Sequence, residues 1–343
     1  GGEIRVYGET FDPGKTKKML HAGEEIPDEV RDDCLVYRND DITPARAFIN
    51  ALESGKTDSL ESYSYEDGLR VTELVREINR NGEYLMKFLH TSDLHIGLRL
   101  CEQPMNDEIA YLLDEIAEIA VREGCQAVVI AGDIYDRSNP APDSVKLFDS
   151  FVSNLVKKGL SVIGISGNHD SAERIGCFSE ILQSAGVYFS PAFNGRTMTA
   201  TLTDEFGEVN FILLPFVRPS VCSAYSGEDI STYTEAVRYQ LSLAGADKTK
   251  RNVVVAHGYT GKNAENADDE EAGGTGFILP DVFDGYDYTA LGHLHTAHKS
   301  GESAWYSGSP VRCSFAETES EKVVNIVTLG EKGSVEVEKV PLH

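Results

Sequence analysis

The residues able to do chemistry fall in five short blocks: Asp93-Leu94-His95, Gly132-Asp133, Gly167-Asn168-His169-Asp170, His257, and Gly292-His293-Leu294-His295. Their carboxylate, amide and imidazole groups bind divalent cations. A mixed nitrogen and oxygen donor set suits manganese, iron or zinc better than calcium or magnesium. Two such cations about 4 Å apart clamp an in-line phosphoryl displacement. They need a carboxylate between them, and Asp133 is the expected bridge. Asp93, His95 and His295 would complete one site; Asn168, His257 and His293 would complete the other. The alternation in His293-Leu294-His295 aims two imidazoles the same way off an extended segment. His169 has no metal in this scheme. It is left to act as general acid or to stabilise charge, with Asp170 as its orienting partner.

Something must carry these blocks to one place. Each follows an apolar run: residues 88–92, 127–131, 161–166, 252–256 and 286–291. Continuous runs of that length suit strands buried on both faces. In open α/β sheets, ligands collect at the carboxyl ends of the strands. Amphipathic helices are expected between them, over residues 106–123 (ended by Gly124), 143–158 (ended by Gly159), 172–185 and 232–244. Residues 197–202 and 209–214 read as a hairpin around Asp204-Glu205-Phe206-Gly207. Further strands are expected over 305–307, 322–329 and 335–340. Residues 258–285 read as a long polar loop bordering the site. His90 lies inside a strand and reads as a packed core residue.

The ordered blocks resemble the calcineurin-like metallophosphoesterase superfamily. The text between them is similar, more narrowly, to the D subunits of bacterial SbcCD nucleases. Four stretches carry that likeness: Gly132-Asp133-Ile134-Tyr135-Asp136-Arg137-Ser138-Asn139-Pro140, Ser166-Gly167-Asn168-His169-Asp170-Ser171-Ala172-Glu173-Arg174, Asp287-Tyr288-Thr289-Ala290-Leu291-Gly292-His293-Leu294-His295, and Tyr306-Ser307-Gly308-Ser309-Pro310. The likeness runs over residues 86–343. It implies a four-layer αββα sandwich and two divalent ions, with manganese preferred. It also implies a double-strand exonuclease and single-strand or hairpin endonuclease for DNA repair and recombination. The implied partners are DNA, a coiled-coil ATPase subunit of the SbcC type, and a second copy of the nuclease chain. The implied location is the bacterial cytoplasm. Such subunits usually continue into a DNA-capping domain and ATPase-docking helices, which are not found before His343. Two other functions fit the same blocks: a metallophosphoesterase acting on nucleotides or phosphoproteins, and a non-catalytic scaffolding subunit.

Charge bears on the DNA reading. The 343 residues carry a formal net charge of −25. From Met86 onward there are 20 basic and 37 acidic residues, a difference of −17, so the deficit is not confined to the N-terminal part. DNA affinity comes mainly from neutralising phosphates with Lys and Arg. Arg99, Arg137, Arg174 and Arg312 lie near the blocks and are the candidate substrate contacts. DNA binding by this chain alone is expected to be weak. Six cysteines without a CxxC pair fit free thiols better than a disulfide framework. No apolar run is long enough for a membrane-spanning helix.

Residues 1–85 stand outside this pattern. Ile4-Arg5-Val6-Tyr7 reads as a strand, and residues 11–41 as polar loop. Thr43-Pro44 starts a helix ended by Gly55, and Ser64 starts another ended by Gly82. The stretches Ala47-Phe48-Ile49-Asn50-Ala51-Leu52-Glu53-Ser54-Gly55 and Glu66-Asp67-Gly68-Leu69-Arg70-Val71 resemble the C-terminal end of a Gfo/Idh/MocA-type oxidoreductase. No Gly-rich dinucleotide fingerprint accompanies them, so no cofactor is carried over. The expectation is a small α+β segment foreign to the nuclease, joined to a natural start at Met86.

Overall fold

Alternation along the apolar runs sets the architecture of residues 85–343. In Ala127–Ala131, Val128 and Ile130 face one core while Ala127, Val129 and Ala131 face another. In Arg251–His257, Val253 and Val255 join that second core, and Val254 and Ala256 a third. A strand projects successive side chains to opposite faces, so runs apolar at every position are covered on both sides.

The computed structural model describes residues 3–8, 19–21, 34–38, 85–260 and 277–343. The chain divides into two compact units, Gly1–Tyr84 and Leu85–His343. In the first, β1 (Glu3–Gly8) pairs antiparallel with β2 (Met19–His21) and β3 (Cys34–Arg38). The last two fall within residues 11–41, read from sequence as loop. Pairing with β1, rather than an apolar pattern of their own, makes them strands. The two helices expected over 43–55 and 64–82 lie outside the described residues.

The second unit runs β4 (Met86–Thr91), β5 (Arg99–Leu100), β6 (Gln103–Pro104), α1 (Asn106–Arg122), β7 (Ala127–Ala131), α2 (Pro142–Lys157), β8 (Ser161–Ile165), α3 (Ala172–Ile175), α4 (Ser179–Leu182) and β9 (Val187–Phe189). It continues with β10 (Met198–Asp204), β11 (Gly207–Leu213), α5 (Pro219–Ser226), α6 (Tyr233–Ala244), β12 (Arg251–His257), β13 (Tyr259–Thr260), β14 (Phe277–Ile278), β15 (Tyr288–Gly292), β16 (His298–Lys299), β17 (Ala304–Tyr306), β18 (Val323–Leu329) and β19 (Val335–Pro341). One six-stranded sheet has the order β19-β18-β4-β7-β8-β9, the other β10-β11-β12-β15-β17-β16. The central neighbours in each are parallel.

Phe88, Val129, Ile163, Phe211, Val253 and Tyr288 fill the space between the sheets. Ile109, Leu113, Ile116 and Phe148 of α1 and α2 cover the outer face of the first. Val237 and Leu241 of α6 cover the outer face of the second. The result is four layers, αββα. Helix ends follow local chemistry: α2 begins with Pro at its first turn, and Thr232 and Glu235 form a capping box on α6.

Three local expectations change. The helix expected over 172–185 breaks into α3, α4 and a 3₁₀ turn at Gln183–Ala185, because Phe178 adopts a left-handed φ of 60°. Helix α5 had no amphipathic signal in the sequence. The loop expected over 258–285 contains β13, β14 and a 3₁₀ turn at Pro280–Phe283; residues 261–276 lie outside the described ones.

A buried ion pair fastens the ends of the strands remote from their carboxyl termini. Arg251, the first residue of β12, grips Asp204 through both guanidinium nitrogens. It also donates to the Gly207 carbonyl at 2.7 Å and the Gly330 carbonyl at 3.2 Å. The Met86 amide donates to Asp204 Oδ2 at 2.7 Å. The pair thus links the β10–β11 turn, the β18–β19 turn and the starts of β4 and β12. Removing one partner of a buried pair leaves an uncompensated charge, at a cost of about 3–5 kcal/mol. Asp204→Ala is expected to lower the unfolding free energy by that amount in urea titration; a change within about 0.5 kcal/mol, the usual range for surface sites, would contradict this role.

Candidate metal centre

The carboxyl ends of β4, β7, β8, β12 and β15 open onto one place. The loops there are knitted by main-chain bonds: Asp93 N donates to Gly132 O at 3.0 Å, His95 N to Asp133 O at 3.1 Å, and Ile96 N to Ile134 O at 3.0 Å. Asp93, His95, Asp133 and His293 have left-handed φ values of 53°, 44°, 48° and 106°. Non-glycine residues seldom adopt this region, and such backbone clusters where surrounding structure over-determines it. Two glycines permit the close approach. A Cβ on Gly167 would collide with the Asp133 carboxylate and amide, and one on Gly292 with the Ala131 carbonyl and the His257 ring.

Asp133 sits at the middle. His169 N donates to its Oδ1 at 2.9 Å, and its Oδ2 lies 3.3 Å from His257 Nε2 and 4.0 Å from His169 Nε2. Asn168 Oδ1 lies 3.0 Å from both His257 Nε2 and His293 Nδ1. On the other side, His95 Nε2 faces His295 Nε2 at 3.2 Å. Three sets of donor atoms come within 4.8 Å of one another: Asp133 with His257 and His293, Asp133 with His95 and His169, and His95 with His295 and Cys313. Asp133 belongs to the first two. Asp93 is fully buried beside them; its carboxylate accepts from the His293 amide at 3.0 Å and from the Ser92 hydroxyl.

The donor chemistry fits a bound cation. His257 Nδ1 lies 2.8 Å from the Ala131 carbonyl, so its proton belongs there. The opposite nitrogen, Nε2, then points its lone pair at the Asp133 carboxylate. Buried acceptors facing one another need a positive charge between them. A proton on His257 satisfies this in one way: burial pulls that imidazole down, but the charge and hydrogen bond of Asp133, with Asp93 behind it, leave it up at about 9. A divalent cation satisfies it in another. Burial pushes the Asp133 carboxyl up, and the His257, His95 and His169 rings more than reverse this, to below the ordinary carboxylate range. Burial and the His257 charge push His293 down to about 4, and burial lowers His95, so both rings are neutral and able to ligate.

The expected site residues divide into two groups. Asp93, His95, Asp133, Asn168, His169, His257, His293 and His295 come together. The role of Asp170 differs from expectation. It is not bonded to the His169 ring, whose Nδ1 is instead 2.9 Å from the Asp136 carbonyl. The Asp170 carboxylate accepts from the amides of Ile134, Tyr135 and Gly167 at 2.9–3.0 Å, pinning two loops together. Burial, then repulsion from Asp133, raises it to about 6 against those bonds. The arginines form no shared groove around the donors. Arg99 turns to the Glu102 carbonyl, Arg137 to Asp136 at 3.4 Å, and Arg312 to the Ser320 carbonyl at 3.4 Å, while Arg174 is exposed.

Three further residues stand near the centre. Asp136 Oδ1 is 3.9 Å from His95 Nδ1, Glu317 Oε1 is 3.1 Å from His295 Nδ1, and Cys313 approaches the two rings. Glu317 and Cys313 had no signal in the sequence. Asp136 follows Asp133 closely in the same block, and that proximity is the one signal that could have found it. His90, as expected, belongs to the core, where its Nδ1 meets the Tyr288 hydroxyl at 2.9 Å and burial pushes it down to about 3.

Comparison with known proteins adds identity to this geometry. The D subunit of the SbcCD nuclease of Staphylococcus saprophyticus is 31% identical over 252 residues, which are 71% of this chain and 66% of that protein. The chain thus spans just under two thirds of that relative's length. Among solved structures, a dimetal phosphatase from Danio rerio matches with a TM-score of 0.43 at 14% identity, over 75% of this chain and 99% of that one. A protein of Thermus thermophilus matches with a TM-score of 0.45 at 12% identity, over 74% of this chain and 99% of its own. Residues 86–297 match the family described as calcineurin-like phosphoesterase. The chain belongs to the calcineurin-like phosphoesterase family.

Proposed function

We propose that this chain is a two-metal phosphodiesterase acting on DNA, the nuclease subunit of an assembly with a coiled-coil ATPase. The observation that carries the reading is Asp133, whose carboxylate is shared by two clusters of imidazole donors. The nuclease relative supports DNA as substrate, with an SbcC-type ATPase and a second copy of this chain as partners. Asp93, His95, His295 and Asp133 would hold one ion, and Asn168, His257, His293 and Asp133 the other. The nitrogen and oxygen mixture favours Mn²⁺. Bound cations would supply positive charge to the phosphoryl oxygens of a scissile ester.

The chain's own groups do the rest. With Nδ1 on the Asp136 carbonyl, His169 presents Nε2 from a ring 43% exposed, on the solvent side of Asp133. Water adds to phosphorus, the P–O bond to the leaving group breaks, and His169 Nε2–H delivers a proton to the departing oxygen. Asp170 keeps the loops of β7 and β8 in register so that this ring and Asp133 stay adjacent. The excess of acid over base leaves phosphate neutralisation to the ions and to a partner subunit. The same charge favours, as a second reading, a small phosphodiester substrate. Purified chain with Mn²⁺ is expected to cut linear DNA weakly alone and faster with the ATPase. Cleavage of bis-p-nitrophenyl phosphate without any DNA cleavage would favour the second reading.

Two further outcomes follow from the site. His169→Ala is expected to lower DNA cleavage by roughly 10²–10⁴-fold with Mn²⁺ content unchanged by elemental analysis; loss of the metal would contradict the role of acid. Mn²⁺ binding at pH 7 is expected to release about one proton, because His257, held at about 9, is protonated there and must give up its proton to ligate. Calorimetry in two buffers of different ionisation enthalpy measures this. The release should fade, and affinity level off, as pH rises past about 9. Equal heats in both buffers at pH 7 would contradict it.

A further inference from the structure

We propose that Glu317 is a positioning residue for the metal centre, acting through His295. The inference rests on the metal-binding reading above and concerns a segment beyond residues 86–297, the part matched by the family. Glu317 ends a 3₁₀ turn, Phe315–Glu317, and is only partly exposed. One carboxylate oxygen lies 3.1 Å from His295 Nδ1; the other accepts from Lys322 Nζ at 2.6 Å and from the Cys313 amide at 3.3 Å. Lys322, whose side chain is 4% exposed, also donates to the His295 carbonyl at 3.3 Å. His295 is therefore held at its ring and at its main chain by one acid–base pair.

The consequence is chemical as well as steric. An ionised carboxylate only accepts, so the His295 proton resides on Nδ1 and the Nε2 lone pair is free. That nitrogen faces His95 Nε2 at 3.2 Å, where two lone pairs meet. A carboxylate behind a ligating imidazole fixes tautomer and ring orientation and raises ligand basicity. No carboxylate oxygen of Glu317 falls within the clusters of converging donor atoms found among the described residues, so it acts on a metal only through the ring. The simpler role, pairing the buried Lys322, makes a different prediction.

The test is Mn²⁺ binding to the full chain, followed by the electron paramagnetic resonance signal of free Mn²⁺, with melting temperatures recorded on the same samples. Glu317→Ala is expected to weaken one class of Mn²⁺ site by roughly 10–100-fold, and Glu317→Gln, which keeps an acceptor oxygen, by less. Lys322→Met in the Glu317→Ala background removes the orphaned charge. That double variant is expected to regain thermal stability while its Mn²⁺ affinity stays weak. If it regains wild-type affinity, Glu317 serves only to pair Lys322 and the proposal is overturned. If Glu317→Ala does not fold, Glu317→Gln and the double variant carry the same comparison. Wild-type binding matched by all three variants overturns this assignment alone; failure of the wild type to bind Mn²⁺ overturns the metal reading with it.

Discussion

A carboxylate with almost no exposure to water, surrounded by imidazole nitrogens and other carboxyl groups, is the constraint on which this structure turns. Asp133 is 2% exposed and Asp93 is fully buried. Two negative groups so placed are costly unless positive charge lies against them. The neighbouring rings supply some as bound protons, and a cation supplies more without having to be taken from the solvent's proton pool. The same electrostatics that make the site expensive to fold make it attractive to a divalent ion.

Holding those groups together takes both sheets. Asp93 and Asp133 follow strands of one sheet, His257 and His293 lie at the ends of strands of the other, and the interlayer core of Phe88, Val129, Phe211 and Tyr288 locks the two faces. Phe88 packs edge-on against both Phe211 and Tyr288, with ring centroids 5.4 and 5.7 Å apart. The Arg251–Asp204 pair fastens the opposite ends of the strands. Strained, left-handed ligand residues persist because rigid strands end immediately before them. Loosening the interlayer packing would therefore be felt at the site before the fold itself is lost.

Much of this was legible in the sequence. Uninterrupted apolar runs announced strands covered on both faces, and the polar residues after each run announced where ligands gather. The less legible parts depend on contacts made across the chain. Glu317 reaches His295 from 22 residues away, on a turn with no motif. Asp170 follows His169 in sequence, yet its carboxylate turns to three main-chain amides because they lie buried within reach. Phe178 breaks a helix through its backbone angle, although Ile175, Ser179 and Leu182 keep a helical spacing. Strands β2 and β3 lack alternation and exist by pairing with β1. The arginines showed only proximity in sequence, and their side chains settle on nearby oxygens instead.

The most direct test of the centre is anomalous diffraction at the manganese edge from crystals of the chain grown with Mn²⁺. Two peaks about 4 Å apart are expected, one on each side of the Asp133 carboxylate, the first beside His95 and His295 and the second beside Asn168, His257 and His293. A single peak that leaves Asp133 uncoordinated, or peaks only at the protein surface, would contradict a shared-carboxylate pair.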